Sequence, residues 1–277
     1  MRLLTCNTHS LVEDNYEEKL DYFIEWLHMH SYDVIALQEV NQSIDSEKTA
    51  VDKKWFVSPN ENIKIKEDNH MARVVEKLKS KGDNYYWTWI PIKIGYGIYD
   101  EGIGIMTKYP PLAVKDFYIT ENRDYLNWRV RKVVGVKCEI DDRKVWFFSV
   151  HMGWWNDEER FSDQLARFQE ELKKTVSPDE EVFIMGDLNN PSQIRGQGYD
   201  MMIASGWHDT YCDAQIKDDG ITVSGLIDGW KNEKNLQKMR IDFIFSNKKT
   251  FVKESKVVFN GKNGQIISDH FAVEITR

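Results

Sequence analysis

The chain has 277 residues and a formal net charge of −8, with 41% hydrophobic and 30% charged residues, which is typical of a soluble globular protein. A chain of this length can bury about three quarters of its unfolded surface, so a single domain over residues 1–277 is expected. The acidic excess disfavours loose binding to a nucleic-acid backbone, and no apolar run reaches the roughly 18 residues of a membrane span.

Three elements open the chain. Leu3–Cys6 is predicted as a strand that ends on Asn7, and polar residues follow too soon for a secretion signal. A helix comes next, which Asp14 or Asn15 can cap, and its apolar face carries Leu20, Phe23, Ile24 and Leu27. The run Val34–Leu37 predicts a second strand that leads directly into Gln38 and Glu39.

The middle of the chain changes from polar segments to strands. Residues 41–70 are polar and predict a surface excursion, after which a helix over about 71–81 ends at Gly82. Four strands are then predicted, at Tyr85–Lys93, Gly102–Thr107, Lys132–Ile140 and Val145–Met152. Asp141 and Asp142 predict a hairpin turn between the last two of these strands.

The last part of the chain supplies a second long helix over about 157–175 and further strands. The apolar run Val182–Met185 is followed by Gly186-Asp187-Leu188-Asn189 and lies between two prolines, so it predicts a buried strand. After a loop region rich in glycine and aspartate, strands are predicted at Arg240–Ser246, Phe251–Phe259 and His270–Thr276. Strands outweigh helices, and the expected fold class is α+β or α/β, with mixed or antiparallel sheets and helices outside.

Polar side chains recur where these apolar strands begin or end: Asn7, Glu39, His151, Asp187, Asn189, Asp242, Asp269 and His270. An ionised carboxylate in an apolar run costs on the order of several kcal/mol unless it is paired or bound to metal. Glu39, Asp187 and Asp242 all stand in such runs. Oxygen ligands without a cysteine or histidine cluster suit Mg²⁺ or Mn²⁺ and not zinc. Asp187 and Asn189 also fit a structural Asx-turn.

Two of these residues are histidines, which titrate near neutral pH. A divalent cation together with histidine and aspartate is the equipment of phosphoryl chemistry. The metal neutralises charge, one side chain activates water, and another protonates the leaving oxygen. The residues at the strand ends therefore predict a metal-dependent phosphoesterase.

Four short motifs, in this order, resemble the endonuclease/exonuclease/phosphatase superfamily: Leu37-Gln38-Glu39-Val40, Gly186-Asp187-Leu188-Asn189, Arg240-Ile241-Asp242 and Ser268-Asp269-His270. Each motif is weak alone, but the ordered set is specific and covers essentially the whole chain, from Asn7 to His270. The resemblance implies a four-layer α/β sandwich of two packed mixed β-sheets flanked by helices. It also implies Mg²⁺-dependent cleavage of a phosphate ester.

The resemblance places a Mg²⁺ or Mn²⁺ ion among oxygen ligands. Glu39 resembles the family's principal metal ligand, and Asn7 stands beside it. Asp187 is assigned to the same ligand set. Asp269 neighbours the second histidine and is a further candidate to touch the metal.

Catalytic roles follow from the same resemblance. Asp187 resembles the residue that positions the attacking water, and Asn189 resembles a contact to phosphate or metal. His270, oriented by Asp242, resembles the base or the group that stabilises the phosphorane. The division of work between Asp187 and His270 stays open, so the two are assigned jointly.

His151 resembles a second histidine found in the DNase I and sphingomyelinase branches, where it protonates the leaving oxygen. Glu101 is then expected to orient His151, and Tyr99 is expected to lie near the phosphate. A carboxylate partner would raise the pKa of His151 unless burial or metal counteracts it. Arg131 resembles a phosphate-contacting arginine, with Arg129 as the alternative.

The tryptophans bear on the substrate. Trp154 and Trp155 follow His151 closely, and side chains alternate along a strand, so one indole is expected to be exposed near the phosphate. Such an indole could stack on a base or sugar, or sit at a lipid interface. Trp128 and Trp230 are candidates to join it.

The acidic balance favours a phosphoesterase of a small organic phosphate or short nucleotide, with a DNase-like nuclease as the alternative. A catalytically silent binding module of the same fold is a further alternative, against which the intact set of site residues weighs. The three cysteines show no metal-type spacing and fit reduced thiols. A cytoplasmic monomer without a membrane anchor is expected.

Overall fold

The strands of this chain pair into two large sheets. In the computed structural model, which describes residues 1–225, 227, 230 and 238–277, the first sheet has seven strands and the second has six. The first contains, in spatial order, β10 (Ala214–Lys217), β14 (Val252–Val258), β15 (Ala272–Thr276), β1 (Arg2–Asn7), β2 (Val34–Ser43), β4 (Tyr99–Thr107) and β3 (Tyr86–Gly95). The second contains β5 (Pro111–Tyr118), β6 (Lys132–Ile140), β7 (Arg143–His151), β8 (Glu181–Asp187), β13 (Asp242–Ser246) and β9 (His208–Asp209).

Helices cover the outer faces of both sheets. Their bounds are α1 (Tyr16–His30), α2 (His70–Ser80), α3 (Phe161–Thr175), α4 (Gly198–Ala204) and α5 (Thr210–Asp213), with a 3₁₀ turn at Ser10–Val12. A small antiparallel ribbon pairs β11 (Val223–Ser224) with β12 (Lys238–Met239). No described helix has both the length and the apolar sequence that crossing a membrane requires.

Alternating side chains build three apolar layers between these elements. Leu3 lies in the core between the two sheets, whereas Leu4 lies in the core under α1 and α2. On β7, Phe147 faces the other sheet and Phe148 faces α3. The predicted four-layer sandwich of two mixed sheets flanked by helices is therefore confirmed.

Strand direction brings the polar strand ends to one edge of the sandwich. β1 runs parallel to β2 and ends with Asn7 opposite Gln38, and β7 runs parallel to β8 and ends with His151 opposite Asp187. A hydrogen bond of 3.3 Å from Asn7 to Asp187 shows that these two ends meet at the same edge. β13 runs antiparallel to β8, which places its first residue, Asp242, opposite Asp187 as well. Residues that are distant in sequence thus gather at one edge.

Two backbone features shape this edge. The register between β2 and β4 shifts between Leu37 and Val40, and Glu39 within this bulge has a φ of 50°. Gly186 has a φ of 147°, and a Cβ atom there would lie 2.0 Å from the carbonyl oxygen of Val150. A glycine is therefore required at position 186 for β7 and β8 to approach at their ends.

Several predicted boundaries are confirmed. The Asp141–Asp142 turn has positive φ values of 51° and 59°, as a two-residue hairpin turn requires. Gly82 follows α2 with a φ of 97°. Asn15 stands at the start of α1, but its φ is 55° and its side chain makes no capping bond, so the capping mechanism differs from the prediction.

Other predictions are corrected. Residues 41–70 are not a simple surface excursion, because β2 continues to Ser43 and Ile65 is buried in the core under α1 and α2. β5 was absent from the predicted strands, and α3 begins at Phe161 and not near residue 157. The glycine- and aspartate-rich region before β13 contains α4, β9, α5 and β10, and part of it lies outside the described residues.

Candidate active site

A cavity of about 270 Å³ opens where β1, β7 and β8 end, beside the bulge in β2 that carries Glu39. The sequence-predicted residues that line it are Glu39, Glu101, Arg131, His151, Trp154, Asp187, Asn189, Asp269 and His270. Asn7 and Asp242 lie directly behind this lining, bonded to residues that form it. The fold therefore brings most of the predicted site together.

Asn7 connects the two sheets at the base of the cavity. Its fully buried amide nitrogen donates to Glu39 Oε1 at 2.9 Å and to Asp187 Oδ2 at 3.3 Å. Glu39 sits on the β2 bulge, and Asp187 ends β8 in the other sheet. The single amide thus holds two carboxylates from different sheets near one another.

The carboxylate of Asp187 divides its contacts between backbone and cavity. Oδ1 accepts the backbone N–H of Asn189 at 2.7 Å, which forms the Asx-turn considered as an alternative. Oδ2 lies 3.7 Å from His151 Nε2 and 3.9 Å from His270 Nε2. Burial and the neighbouring charge of Asp242 raise the pKa of Asp187 to about 7. One carboxylate therefore serves both the turn, through Oδ1, and the site, through Oδ2.

Asn189 is held by its amide nitrogen, which donates to the carbonyl oxygen of Met152 at 3.0 Å. Its amide oxygen accepts a long bond, 3.4 Å, from Trp230 Nε1. The oxygen is the atom that remains for a further ligand. Because an oxygen acceptor repels phosphate oxygens, Asn189 is better suited to contact a metal ion or water than a phosphate.

His270 and Asp242 form the predicted pair. His270 Nδ1 lies 3.0 Å from Asp242 Oδ2 and 3.2 Å from Oδ1, and both side chains are buried. Burial alone would lower the pKa of His270, but the charges of Asp242 and Asp187 outweigh it and raise the pKa well above the usual value. The other ring nitrogen, Nε2, faces Asp187.

His151 differs from the expectation. Its Nε2 lies 3.7 Å from Asp187 and 4.0 Å from Glu39 Oε1, whereas Glu101 forms an ion pair with Lys93, at 3.1 Å. The prediction that Glu101 orients His151 is therefore wrong. Burial, Arg131 and Lys93 hold the pKa of His151 well below its usual value, so the ring is neutral at pH 7.

Two buried cationic side chains, Lys93 and Arg131, line the cavity. Lys93 lies on β3, and Arg131 immediately precedes β6. Arg131 is only 2% exposed, and its guanidinium carbon lies 5.6 Å from the centre of the Trp154 ring. Arg129 instead bonds Asp157 at 3.0 Å, so Arg131 is the arginine of the cavity.

The aromatic residues divide between cavity and core. Trp154 and Trp128 line the cavity with ring centres 5.7 Å apart, whereas Trp155 packs against the core under α3. Trp155 does not line the cavity. Both residues lie in the loop that follows β7 and not on a strand, so the alternation of side chains along a strand does not apply to them. The Tyr99 hydroxyl donates to the carbonyl oxygen of Leu11 at 3.3 Å, and Tyr99 is not among the residues that line the cavity, so its expected place near the phosphate stays a prediction.

The site assigned from the sequence lacks four lining residues: His9, Lys93, Gly95 and Tyr96. Lys93 interrupts the apolar run of β3, which is the same signal that identified Glu39 on β2. Both ring nitrogens of His9 are hydrogen-bonded: Nδ1 lies 2.7 Å from Glu13 Oε1, and Nε2 lies 2.9 Å from the Tyr96 hydroxyl. Burial opposes but Glu13 and Asp269 promote its charged form, and its pKa rises to about 9.

The donor set fits a hard divalent cation. Burial and neighbouring carboxylates raise the pKa of both Glu39 and Asp187, so the two acids lie where a cation would stabilise them. Asp187, Asp242 and His270 also offer ligand atoms within 4.8 Å of one another. Since Asp242 and His270 already satisfy each other, Glu39 and Asp187 are the better metal ligands.

The sequence pattern of the Endonuclease/Exonuclease/phosphatase family matches residues 4–270. Among solved structures, an endonuclease/exonuclease/phosphatase family protein from Leptotrichia buccalis C-1013-b is 35% identical with a TM-score of 0.86, over 100% of this chain and 98% of that chain. A mannosyl-6-phosphatase from Bacteroides thetaiotaomicron has 16% identity and a TM-score of 0.67, over 100% of this chain and 98% of its own. A humanized D. rerio TDP2 has 15% identity and a TM-score of 0.62, over 99% of this chain and 97% of that chain. No curated protein matches the chain.

Proposed function

This chain belongs to the endonuclease/exonuclease/phosphatase family of phosphate-ester hydrolases, and we propose that it hydrolyses a small organic phosphate or a short nucleotide with Mg²⁺ or Mn²⁺. The predicted family and enzyme class are confirmed by the match, and enzymes of this family generally depend on a divalent metal. The observation that carries the proposal is the cavity of about 270 Å³, which gathers paired carboxylates, two buried histidines and two buried cations. Its volume suits a small ligand.

Glu39 and Asp187, with Asn7 beside them, would hold the metal ion. Oxygen ligands of this kind are the ones that Mg²⁺ prefers. When bound, the ion neutralises negative charge on the phosphate group. Asp269, which is partly exposed in the same cavity, is a further candidate ligand.

Asp187 and His270 act jointly on the attacking water in this proposal. Asp242 fixes Nδ1 of His270, so that Nε2 is directed toward Asp187 and the cavity. Oδ2 of Asp187, which faces Asn7 and both histidines, can accept a hydrogen bond from the attacking water and so position it. The charged His270 then donates to a phosphate oxygen and stabilises the negative charge that develops there.

His151 serves the leaving group. A neutral imidazole still carries one N–H, which can donate a hydrogen bond to the leaving oxygen as the bond to phosphorus breaks. His151 occupies the cavity beside Asp187, which suits this role. Glu101 does not assist it, since the carboxylate of Glu101 pairs with Lys93.

A DNase-like nuclease remains the alternative, and the Trp128–Trp154 pair is the observation that favours it, because indoles stack on bases. A silent binding module is disfavoured by the complete set of cavity residues.

The test is a panel of phosphomonoesters, phosphodiesters and plasmid DNA assayed with Mg²⁺, with Mn²⁺ and with EDTA. Hydrolysis of small esters is expected with metal only, and His270→Asn should lower it at least about 100-fold. His208→Asn, on β9 and outside the cavity lining, is the matched control and should keep full activity. Hydrolysis at full rate in EDTA, or in His270→Asn, would contradict the proposal.

A further inference from the structure

We propose that this site prefers phosphomonoesters over phosphodiesters, and that Lys93 and Arg131 are the residues that set the preference. The inference rests on the proposed function, because it concerns the same cavity. A phosphomonoester carries between about −1.5 and −2 charges at neutral pH, since its second pKa is near 6. A diester carries a single negative charge and lacks one of the three non-bridging oxygens.

Lys93 presents a buried ammonium group to the cavity. It is 5% exposed, its Nζ lies 3.1 Å from Glu101 Oε1, and it donates to the carbonyl oxygen of Trp128 at 2.7 Å. An ammonium has three donors, and the described residues take two of them, which leaves the third for a ligand in the cavity that Lys93 lines. Lys93 and Glu101 are directly opposed on β3 and β4, which holds the ammonium in place.

Arg131 presents a cation that the described residues do not fully satisfy. Its Nε is buried and has no hydrogen-bond partner, although the residue is 2% exposed and lines the cavity. A buried charged donor without an acceptor is costly, and a guanidinium matches the oxygens of a phosphate. An anionic ligand in the cavity would supply the missing acceptor.

Both cations act at the position of the reacting phosphate and not at a remote subsite. Lys93 and Arg131 line the same cavity of about 270 Å³ as His151, whose Nε2 lies 3.7 Å from Asp187 Oδ2. A phosphate group held by the metal ligands is therefore within reach of Lys93 and Arg131 as well. Because Glu101 already balances the charge of Lys93, the preference comes from acceptors: a monoester offers a third non-bridging oxygen and a second negative charge to Lys93 and Arg131, which a diester does not.

The reaction needs no further co-reactant. The oxygen of water forms a bond to phosphorus, and the phosphorus–oxygen bond to the alcohol breaks. One proton from water is transferred overall to the alcohol oxygen, so the products are inorganic phosphate and the free alcohol.

The kinetic test compares p-nitrophenyl phosphate with methyl p-nitrophenyl phosphate, which share one leaving group, in the presence of Mg²⁺. Wild type should have the higher kcat/KM on the monoester. Lys93→Gln and Arg131→Gln should each lower kcat/KM on the monoester about ten- to hundredfold, and on the diester less than about threefold. Lys137→Gln is the matched control, because it removes a lysine from an ion pair with Glu180 outside the cavity.

Binding gives a readout independent of turnover. Calorimetric titration with inorganic phosphate and with dimethyl phosphate should show that wild type binds inorganic phosphate more tightly. The ratio of the two dissociation constants should fall at least about tenfold in Arg131→Gln. Arg131→Lys, which keeps the charge, should restore part of this ratio. If Lys93→Gln does not fold, the double variant Lys93→Met with Glu101→Gln removes both charges of the pair and tests the same prediction.

The outcomes separate the two proposals. Hydrolysis of both esters with a preference for the diester, or equal losses on the two esters in the cation variants, overturns the monoester inference alone. No hydrolysis of any phosphate ester with Mg²⁺ or Mn²⁺ overturns the proposed function, and the inference with it.

Discussion

Asp187 combines a structural and a chemical role in one carboxylate. Oδ1 completes a turn with the N–H of Asn189, at 2.7 Å, while Oδ2 faces Asn7 and both histidines. Sequence alone offered the turn and the site as competing interpretations, and the structure shows that each oxygen satisfies one of them. A residue of this kind is expected to trade stability for function.

Replacing Asp187 with asparagine should raise stability while abolishing activity. Because the pKa of Asp187 is raised to about 7, the folded state binds a proton that the unfolded state releases above pH 4. The free energy of unfolding that is lost to the ionised Asp187 therefore grows from about pH 4 to pH 7 and is constant above that. Asp187→Asn should increase the free energy of unfolding by about 1–3 kcal/mol at pH 8, and by much less at pH 5.

Urea unfolding in EDTA at the two pH values measures this change, and the ester assay should show a loss of at least about 100-fold. A variant that is less stable than wild type at pH 8 would contradict the assignment of Asp187 as a buried acid that destabilises the fold when it is ionised.

His151 and His270 should respond differently to the leaving group. If His151 donates to the leaving oxygen, His151→Ala should lose about tenfold more activity on an alkyl ester than on a p-nitrophenyl ester, whose leaving group needs little assistance. His270→Ala should lose activity equally on both, because charge stabilisation at phosphorus does not depend on the leaving group. Initial rates on the two esters measure these losses, and equal losses in His151→Ala would show that His151 does not donate to the leaving oxygen.

The partner of Glu101 was not predicted from the sequence. Charged residues inside apolar runs identified Glu39, Asp187 and Asp242 correctly as neighbours of one edge. Glu101, however, faces Lys93 because the β3–β4 register shifts between Pro91 and Lys93. A shift of one residue moves a side chain to the other face of a strand, and the sequence carries no sign of it.

At the scale of elements, buried strands were predicted better than exposed ones. β8 and β7 have nearly continuous apolar sequences and appear close to their predicted bounds. β5 is mostly half-buried and begins with a proline, so it lacks both the alternating pattern and the apolar run of a core strand. The extension of β2 past Leu37 carries polar residues that bond other loops, such as Gln42 to the N–H of Lys66 at 3.0 Å.

The close approach of β7 and β8 gives a prediction about Gly186. A methyl group there would lie 2.0 Å from the Val150 carbonyl oxygen, and the φ of 147° disfavours any other residue. Gly186→Ala should destabilise the protein by about 3 kcal/mol or more, because backbone must move. Gly82→Ala is the control, since Gly82 also has a positive φ, 97°, but an added methyl group meets nothing within 4 Å.

Chemical denaturation compares these two variants, and Gly82→Ala should cost only about 1 kcal/mol. Equal losses would show that the approach of β7 to β8 imposes no special constraint.

At the scale of the whole molecule, two sheets supply one site. The layers could be anticipated from the motif order, but the spatial order of strands could not, because apolar patterns do not specify partners across a sheet. The central parallel pairs, β1 with β2 and β7 with β8, are what bring Asn7, His151 and Asp187 to the same edge. The site is therefore a consequence of topology as much as of individual residues.

The whole-molecule charge predicts that long duplex DNA is a poor substrate. A net charge of −8 opposes the phosphate backbone, and a cavity of about 270 Å³ suits a small ester. Turnover of plasmid DNA should be at least about 100-fold below that of the best small ester, with a shallow dependence on salt. Efficient nicking with a steep salt dependence would favour the nuclease alternative.

We propose that one cavity holds a divalent metal between Glu39 and Asp187, with the phosphate beside Lys93 and Arg131. A crystal structure with Mn²⁺ and inorganic phosphate, with an anomalous difference map that locates manganese, tests both positions at once. We expect a manganese peak coordinated by oxygens of Glu39 and Asp187, and a phosphate within hydrogen-bond distance of Arg131. A manganese peak elsewhere, or a phosphate bound away from Lys93 and Arg131, would contradict it.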